Sequence, residues 1–480
     1  MPRPSRVYLY TCAVVGLALA AVYVGLASRE WFFGEDFYFL RAAEGPRDWW
    51  SVFLPLEERS WWSYRPLTIE VYYSTLRALF GVKAFPFLLT SIAAQLGAGL
   101  LVFRLARQLC FDPRVGMMVA LLSVALYPSL SGELFWTSAF QTVGVKFFYL
   151  LTLTVFVDFL VRGGRLRLAS SVGLMLLTLL SGEVGMTLPG PLALLALYFE
   201  GGPLRARVGS AFRAVAPHVL LLGLYLPFRY LWLGPSVLPM PAAYEPHLGI
   251  HNLRHVGGFL WYLAGARALR FGAVSAVVAL GWIVAARAGA GEIRRLAKRT
   301  GLLFGFLFAT MVPFLGMWFV HHRAAIIMEA PFCLLLGAHL DTVARATPRS
   351  DSRILEAGLV LLLLAMIPYG ALLLQARVPR GVVGWEIATI VDEHQEQIPD
   401  RACVDVVPRP EDAWRDGDLN ALRFRAHGVL DVTRPGARLR LPNPAKPRRR
   451  MRCRHQFVIE VLPGPPEVRP TFRLRPRTNT

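Results

Sequence analysis

Two carboxylates stand side by side in Trp31-Phe32-Phe33-Gly34-Glu35-Asp36-Phe37-Tyr38, with aromatic residues on either side. Apolar surroundings can tune a carboxylate toward general-base work or metal binding. The same pair also fits a solvated helix start, where acids are favoured. Further on, Ser63-Tyr64-Arg65-Pro66-Leu67-Thr68 sets an arginine directly before a helix-starting proline. A guanidinium in that place can grip a phosphate or snorkel to lipid headgroups. Together, a base and a cation are what group transfer from a phosphate needs. The base takes the proton of an acceptor hydroxyl, and the cation holds the leaving phosphate.

Three more acids stand at helix ends or inside apolar runs. Glu133 is in Ser131-Gly132-Glu133-Leu134-Phe135-Trp136, and Glu183 is in Leu180-Ser181-Gly182-Glu183-Val184. Glu329 lies inside the apolar run that follows His321-His322-Arg323. Ionisable groups at membrane depth are costly and face a cavity or a partner. Glu133, Glu183 and Glu329, with Tyr64, are therefore candidates to line a substrate cavity. Neighbouring histidines on a helix point apart, so His322 and Arg323 read better as contacts to a phosphate or headgroup than His321 and His322 do as a metal pair. Asp416-Gly417-Asp418 matches a metal-binding DxD but is also ordinary turn chemistry. Phosphate-cradling, zinc-protease and nucleophile-elbow motifs do not occur, and the five cysteines form no CxxC pair.

The elements that must position these residues are membrane helices. Of 480 residues 55% are hydrophobic and 18% charged, against about 25% charged in soluble proteins. The apolar residues fall in runs about 20 long, enough for a bilayer core. Residues 8–27 resemble a signal peptide, but Ser28-Arg29-Glu30-Trp31 is a poor cleavage site, and the run reads as an uncleaved first helix. A polar, aromatic-rich loop covers 28–82, with Trp49, Trp50, Trp61 and Trp62 suited to a membrane–water boundary and a helical pattern over 67–80. Further spans are expected near 83–103, 115–128, 138–161, 168–181, 186–199, 214–232, 271–286, 301–319, 324–343 and 354–375, eleven with the first; 256–266 is apolar but short.

The net charge of +20, from 52 basic and 32 acidic residues, would suggest nucleic acid in a soluble protein. Here its distribution is topological. Arg104, Arg107 and Arg114; Arg162, Arg165 and Arg167; Arg205, Arg207 and Arg213; Arg287, Arg294, Arg295, Lys298 and Arg299; and Arg345, Arg349 and Arg353 fall in alternate loops. The turns 129–137 and 182–185 between them hold neither Lys nor Arg. By the positive-inside rule the N-terminus is inside, and the 28–82 loop and the tail are outside. The tail, 377–480, is itself basic, with 20 Lys and Arg against 13 Asp and Glu, although long domains cross largely regardless of charge. Ala402–Val407, Gly428–Val432 and Gln456–Leu462 alternate with Pro and Gly turns, which predicts a small β-rich extracytoplasmic domain over 377–462. The Pro- and Arg-rich end, 463–480, reads as disordered. Cys403 and Cys453, the two cysteines of the tail, are either bridged or two free or buried thiols.

This layout resembles the GT-C fold, the multi-spanning glycosyltransferases, and within it the branch of the protein O-mannosyltransferases and their bacterial relatives. The resemblance rests on the acidic pair opening the first outer loop, the Tyr64-Arg65-Pro66-Leu67 segment, and two later stretches. Leu179-Leu180-Ser181-Gly182-Glu183-Val184-Gly185-Met186-Thr187-Leu188-Pro189 is similar to that branch's Leu-Ser-Lys-Glu-then-Pro segment, and His322-Arg323 to its late arginine-bearing helix start. It covers roughly residues 1–375 in layout, within a multi-spanning membrane domain expected over 1–376. It implies an all-α polytopic membrane enzyme, of the bacterial inner membrane, that transfers a sugar with inversion from a polyprenyl-phosphate donor to an acceptor hydroxyl on the outer face. It implies Asp36, with Glu35 second, as catalytic base or ligand of a divalent metal. The residues themselves offer Arg65, with His322 and Arg323, as the cations for the donor phosphate. The sequence departs from the pattern in having Glu-Asp as the acidic pair and Gly182 where a lysine is common. The other functions open to such a chain are a transporter or flippase of lipid-linked glycans and a non-catalytic membrane scaffold. Nucleic acid is not an expected partner.

Overall fold

An apolar run can satisfy its backbone inside a bilayer only as a helix or as part of a closed barrel, and in the computed structural model of the chain these runs are helices. The structure describes residues 4–28, 32, 36, 39, 40, 43, 53, 65–131, 134, 136–233, 268–315, 325–351 and 353–362, and four strands between 403 and 476. The helices are α1 (Arg6–Ala27), α2 (Tyr72–Phe80), α3 (Ala84–Gln108), α4 (Pro113–Ser131), α5 (Phe140–Arg162), α6 (Arg165–Ser181), α7 (Pro189–Phe199), α8 (Leu204–Leu233), α9 (Ala268–Ala288), α10 (Ala290–Leu315) and α11 (Ala325–Ala346). Residues 353–362 form α12. A helix overlaps each of the eleven stretches read as spans, with 316–319 of one and 363–375 of the last outside the described residues. Among the described residues five segments, Arg6–Ala27, Ala84–Gln108, Thr137–Arg162, Leu204–Arg229 and Ile327–Ala346, are long and apolar enough to cross a membrane.

Local chemistry sets the ends of these helices. Ser5 caps α1 by accepting the Tyr8 N–H at 3.1 Å, as N-cap serines do. Gly163, at φ +68°, ends α5 with its N–H on the Phe159 carbonyl, a left-handed turn that glycine adopts without strain. One stripe of α1, Tyr8, Cys12, Val15, Leu19, Tyr23 and Ala27, is buried at i+3/i+4 spacing. Its two tyrosines donate to backbone carbonyls of α4, Tyr8 to Arg114 at 2.7 Å and Tyr23 to Val124 at 3.0 Å. The common core joins α3, α4, α5 and α11, and small residues let the helices approach closely. A Cβ at Gly337 would lie 2.6 Å from Val119 Cγ2.

At the helix ends remote from Asp36 and Arg65, arginines are bound into the structure. Asp341 accepts from Arg299, from Arg345 Nε at 2.7 Å and from the Asp112 N–H at 2.6 Å. Arg114 pairs with Asp112 at 3.0 Å and lies 3.8 Å from Glu356, which also accepts the Ser5 N–H at 3.0 Å. The network ties α1, α4, α10, α11 and α12 together.

In the tail the strands are β1 (Cys403–Pro408), β2 (Arg438–Arg440), β3 (Gln456–Leu462) and β4 (Thr471–Pro476). They pair in the order β2-β1-β3-β4, with β1 parallel to both its neighbours and β3–β4 antiparallel. β1 and β3 coincide with two of the predicted stretches, while Gly428–Val432 lies outside the described residues. β4 falls inside the end read from sequence as disordered. Its Phe472 and Leu474 alternate with Thr471, Arg473 and Arg475, the period-two pattern of a strand, which the surrounding Pro and Arg had masked.

Candidate functional site

Proline cannot donate a backbone hydrogen bond and suits the first helical position, and Pro66 accordingly opens a π-turn, Pro66–Val71, that runs straight into α2. This helical strut carries both candidate centres. Arg65 precedes it and Tyr73 lies eight residues on, a separation on the order of 10 Å by helical rise.

Asp36 is wholly buried. Its Oδ1 accepts from the Tyr73 hydroxyl and from the Ser138 N–H, each at 2.8 Å. The Tyr73 oxygen also lies 3.1 Å from Thr137 Oγ1. Ser138 belongs to a short 3-10 turn, Thr137–Ala139, that leads into α5. The first N–H groups of a helix lack internal partners and carry partial positive charge, so the turn is a natural seat for a carboxylate. Burial, and next the Asp36 charge, push the Tyr73 phenol well above its ordinary range, which keeps it a donor. Aromatics close the seat: Phe39 lies against Tyr73 with centroids 5.1 Å apart, and Tyr72 stacks on Phe140 at 4.1 Å.

The second centre is built on Arg65. Its Nε donates to Glu183 Oε2 at 2.8 Å, its Nη2 lies 2.7 Å from the same oxygen, and its Nη1 donates to Gln141 Oε1 at 2.6 Å. The other oxygen of Glu183 accepts from Arg229 Nη2 at 2.7 Å. One carboxylate therefore holds two guanidinium groups. Side-chain exposures of 29% for Arg65, 31% for Glu183 and 14% for Arg229 leave the cluster reachable from outside. Burial alone would raise the Glu183 carboxyl, but the charges of Arg65 and Arg229 outweigh it and hold it at about 2. The strut is fixed to the end of α6 beside this cluster, since Thr68 Oγ1 donates to the Ser181 carbonyl at 2.7 Å.

Gly182 has an extended backbone that any residue could adopt, so its constraint is space. A Cβ there would meet Val145 Cγ2 at 2.8 Å and come within 3.9 Å of Arg65 Nε. A lysine at 182 would have to displace the buried Val145 to reach the cluster. A second cation reaches the cluster from α8, as Arg229.

Of the residues singled out from sequence, Asp36, Arg65, Glu183 and Glu329 are described, and Arg65 and Glu183 meet. Glu35, Tyr64, Glu133, His322 and Arg323 lie outside the described residues. Glu329 does not join the Arg65 cluster. It is fully buried, and its Oε2 accepts from Lys146 Nζ at 2.9 Å; Lys146 also donates to Gln95 Oε1 at 3.3 Å. Among the described residues no three His, Cys, Asp or Glu side chains converge as metal ligands. Asp36 Oδ1 is met by two donors, and Glu35, the other acid of the pair, lies outside the described residues. Sequence reading passed over Tyr73, Gln141, Arg229 and Lys146. Arg229 and Lys146 carried a usable signal, a basic residue inside an apolar run, which is costly enough to imply a partner. Tyr73 and Gln141 carried none, because nothing local sets them apart from their neighbours.

No protein-family model matches the chain, and no curated protein sequence matches it. Solved structures do. ArnT from Cupriavidus metallidurans in the apo state aligns at a TM-score of 0.52 and 14% identity, over 90% of this chain and 86% of that one. ArnT bound to undecaprenyl phosphate aligns at 0.50 and 13%, over 94% and 93%. The archaeal oligosaccharyltransferase AglB from Archaeoglobus fulgidus, in complex with an inhibitory peptide and a dolichol-phosphate, aligns at 0.47 and 14%, over 88% of this chain. The chain spans 64% of the length of that protein. At such identities the likeness is one of fold, and the chain has the GT-C fold expected from its sequence.

Proposed function

We propose that the chain is a membrane glycosyltransferase that takes a sugar from a polyprenyl-phosphate donor and transfers it, with inversion, to an acceptor hydroxyl at the extracytoplasmic face. The observation that carries this reading is the Arg65 fork, held ready at the head of the strut that also seats Asp36. The fold shared with a protein crystallised with undecaprenyl phosphate supports the class of donor. In this reading Asp36 accepts the proton of the acceptor hydroxyl, the acceptor oxygen bonds to the anomeric carbon, and the bond from that carbon to the phosphate oxygen breaks. Charge then grows on the leaving phosphate, where Arg65 meets it. The topology belongs to the same proposal: eleven spans in a bacterial inner membrane, N-terminus inside, the first loop and the β-rich tail outside.

Purified protein incubated with labelled polyprenyl-phosphate sugars tests it. Asp36→Asn keeps shape and most hydrogen bonding but loses the base, and turnover should fall by about 10²-fold or more. Arg65→Ala should weaken donor binding and slow transfer together, and Arg65→Lys should restore only part, because a point charge replaces a fork. Transfer by folded Asp36→Asn at the wild-type rate would sink the assignment of the base. The complete burial of Asp36 favours what would then replace it, a carboxylate that only anchors the first loop in a non-catalytic scaffold.

A further inference from the structure

Two donors beside Glu183 are buried and unused: Arg229 Nη1 and Gln141 Nε2 each lack a hydrogen-bond partner. Buried polar groups are satisfied in nearly every native site, and an orphan calls for a ligand, ion or water to fill it. Both orphans belong to side chains already turned to this cluster, since Arg229 Nη2 donates to Glu183 and Gln141 Oε1 accepts from Arg65. The carboxylate has only two oxygens, and both are committed. A phosphate has the same sign of charge, binds the arginine fork in the same way and brings more acceptor oxygens. The two guanidinium groups against one carboxylate also leave one positive charge uncompensated within the cluster.

We propose that Arg65 and Arg229 form one two-guanidinium cradle for the phosphate of a lipid-linked ligand, and that Glu183 occupies the cradle as an internal counter-ion that the phosphate displaces. The proposal rests on the reading above in one respect, that Arg65 meets a lipid-linked phosphate. With the cradle empty, Glu183 keeps two partly buried cations from repelling one another. When phosphate arrives, its oxygens take over both forks and reach the donors that the carboxylate leaves unpaired. After transfer, the returning carboxylate competes with the bound phosphate and favours its release.

The test is binding of undecaprenyl phosphate to the full chain in detergent, with inorganic phosphate and phosphatidylglycerol vesicles as separate arms. Glu183→Gln should bind undecaprenyl phosphate about tenfold more tightly than wild type, because the competitor has lost its charge. Arg229→Gln should bind about tenfold more weakly although Arg65 is intact. Glu183→Gln that binds no more tightly overturns the displacement. Should that variant fail to fold, Arg229→Gln decides: unchanged affinity overturns the cradle, and weakened affinity supports it. Inorganic phosphate or phosphatidylglycerol binding as tightly as undecaprenyl phosphate overturns the lipid-linked ligand. Arg65→Ala separates the two levels. Wild-type binding by this variant refutes the proposed donor site itself, whereas weakened binding without the effects at Glu183 and Arg229 refutes only the counter-ion.

Discussion

Lys146 and Glu329 form an ion pair at 2.9 Å with 1% exposure on each side chain, in the interior of α5 and α11. Gln95 on α3 accepts from the same ammonium, and its own amide donates to the Ser123 carbonyl of α4 at 3.1 Å, so four helices share one polar knot. Taking one member away from a buried pair leaves an uncompensated charge and costs about 3–5 kcal/mol, whereas replacing both by apolar residues of similar volume is close to neutral or stabilising. Lys146→Met should therefore lose about 3–5 kcal/mol. At about 2 °C per kcal/mol, the low end for larger domains, that is a Tm drop of about 6–10 °C. Glu329→Leu alone should cost a similar amount, because it strands the ammonium. The double variant Lys146→Met/Glu329→Leu should recover most of the loss. Thermal unfolding of purified protein in one detergent, with all four proteins run side by side, reads the coupling directly. A double variant whose Tm falls by the sum of the two single drops would show that the pair is not the unit of stability and would refute this reasoning.

Two further outcomes follow from other parts of the structure. Gly182→Ala places a methyl group 2.8 Å from the buried Val145 and 3.9 Å from Arg65 Nε; it should cost about 1–3 kcal/mol by overpacking and weaken donor binding through Arg65, and a variant equal to wild type in both Tm and donor affinity would contradict the packing account. Reporter fusions after Arg213 and after Arg380 should read inside and outside respectively, and an inside signal from the second would overturn both the topology and the outer location of the chemistry.

Secondary structure was legible wherever one physical requirement dominated. Apolar runs near bilayer length had to be helices, and five of the described helices are long and apolar enough to cross a membrane. Pro66 announced the start of the strut. Arg65 and Glu183 stood out because a charge at the edge of an apolar run demands a reason. Their meeting was not legible, because it joins residues 118 positions apart, and no local pattern encodes which span packs on which. Arg229 carried the signal of a basic residue in an apolar run, but nothing local named Glu183 as its partner. Gly182 was read as a missing lysine, and only the position of Val145 supplies the spatial reason for it. In β4 the two-residue alternation was present but short, and the prolines around it carried more weight in a reading by composition.

The staple between Ser5 and Glu356 has a consequence for how the protein is made. It joins positions 351 residues apart, so the first helix enters the membrane long before its capping partner has been synthesised. Until α12 emerges, Arg114 lacks Glu356 and Ser5 lacks its acceptor, and the N-terminal end of α1 stays open to exchange with lipid, translocon or chaperone. Bundle closure is thus a late event in biogenesis, set by the last helices rather than the first. A nascent chain arrested shortly before residue 356 should hold α1 far more loosely than one released just beyond it.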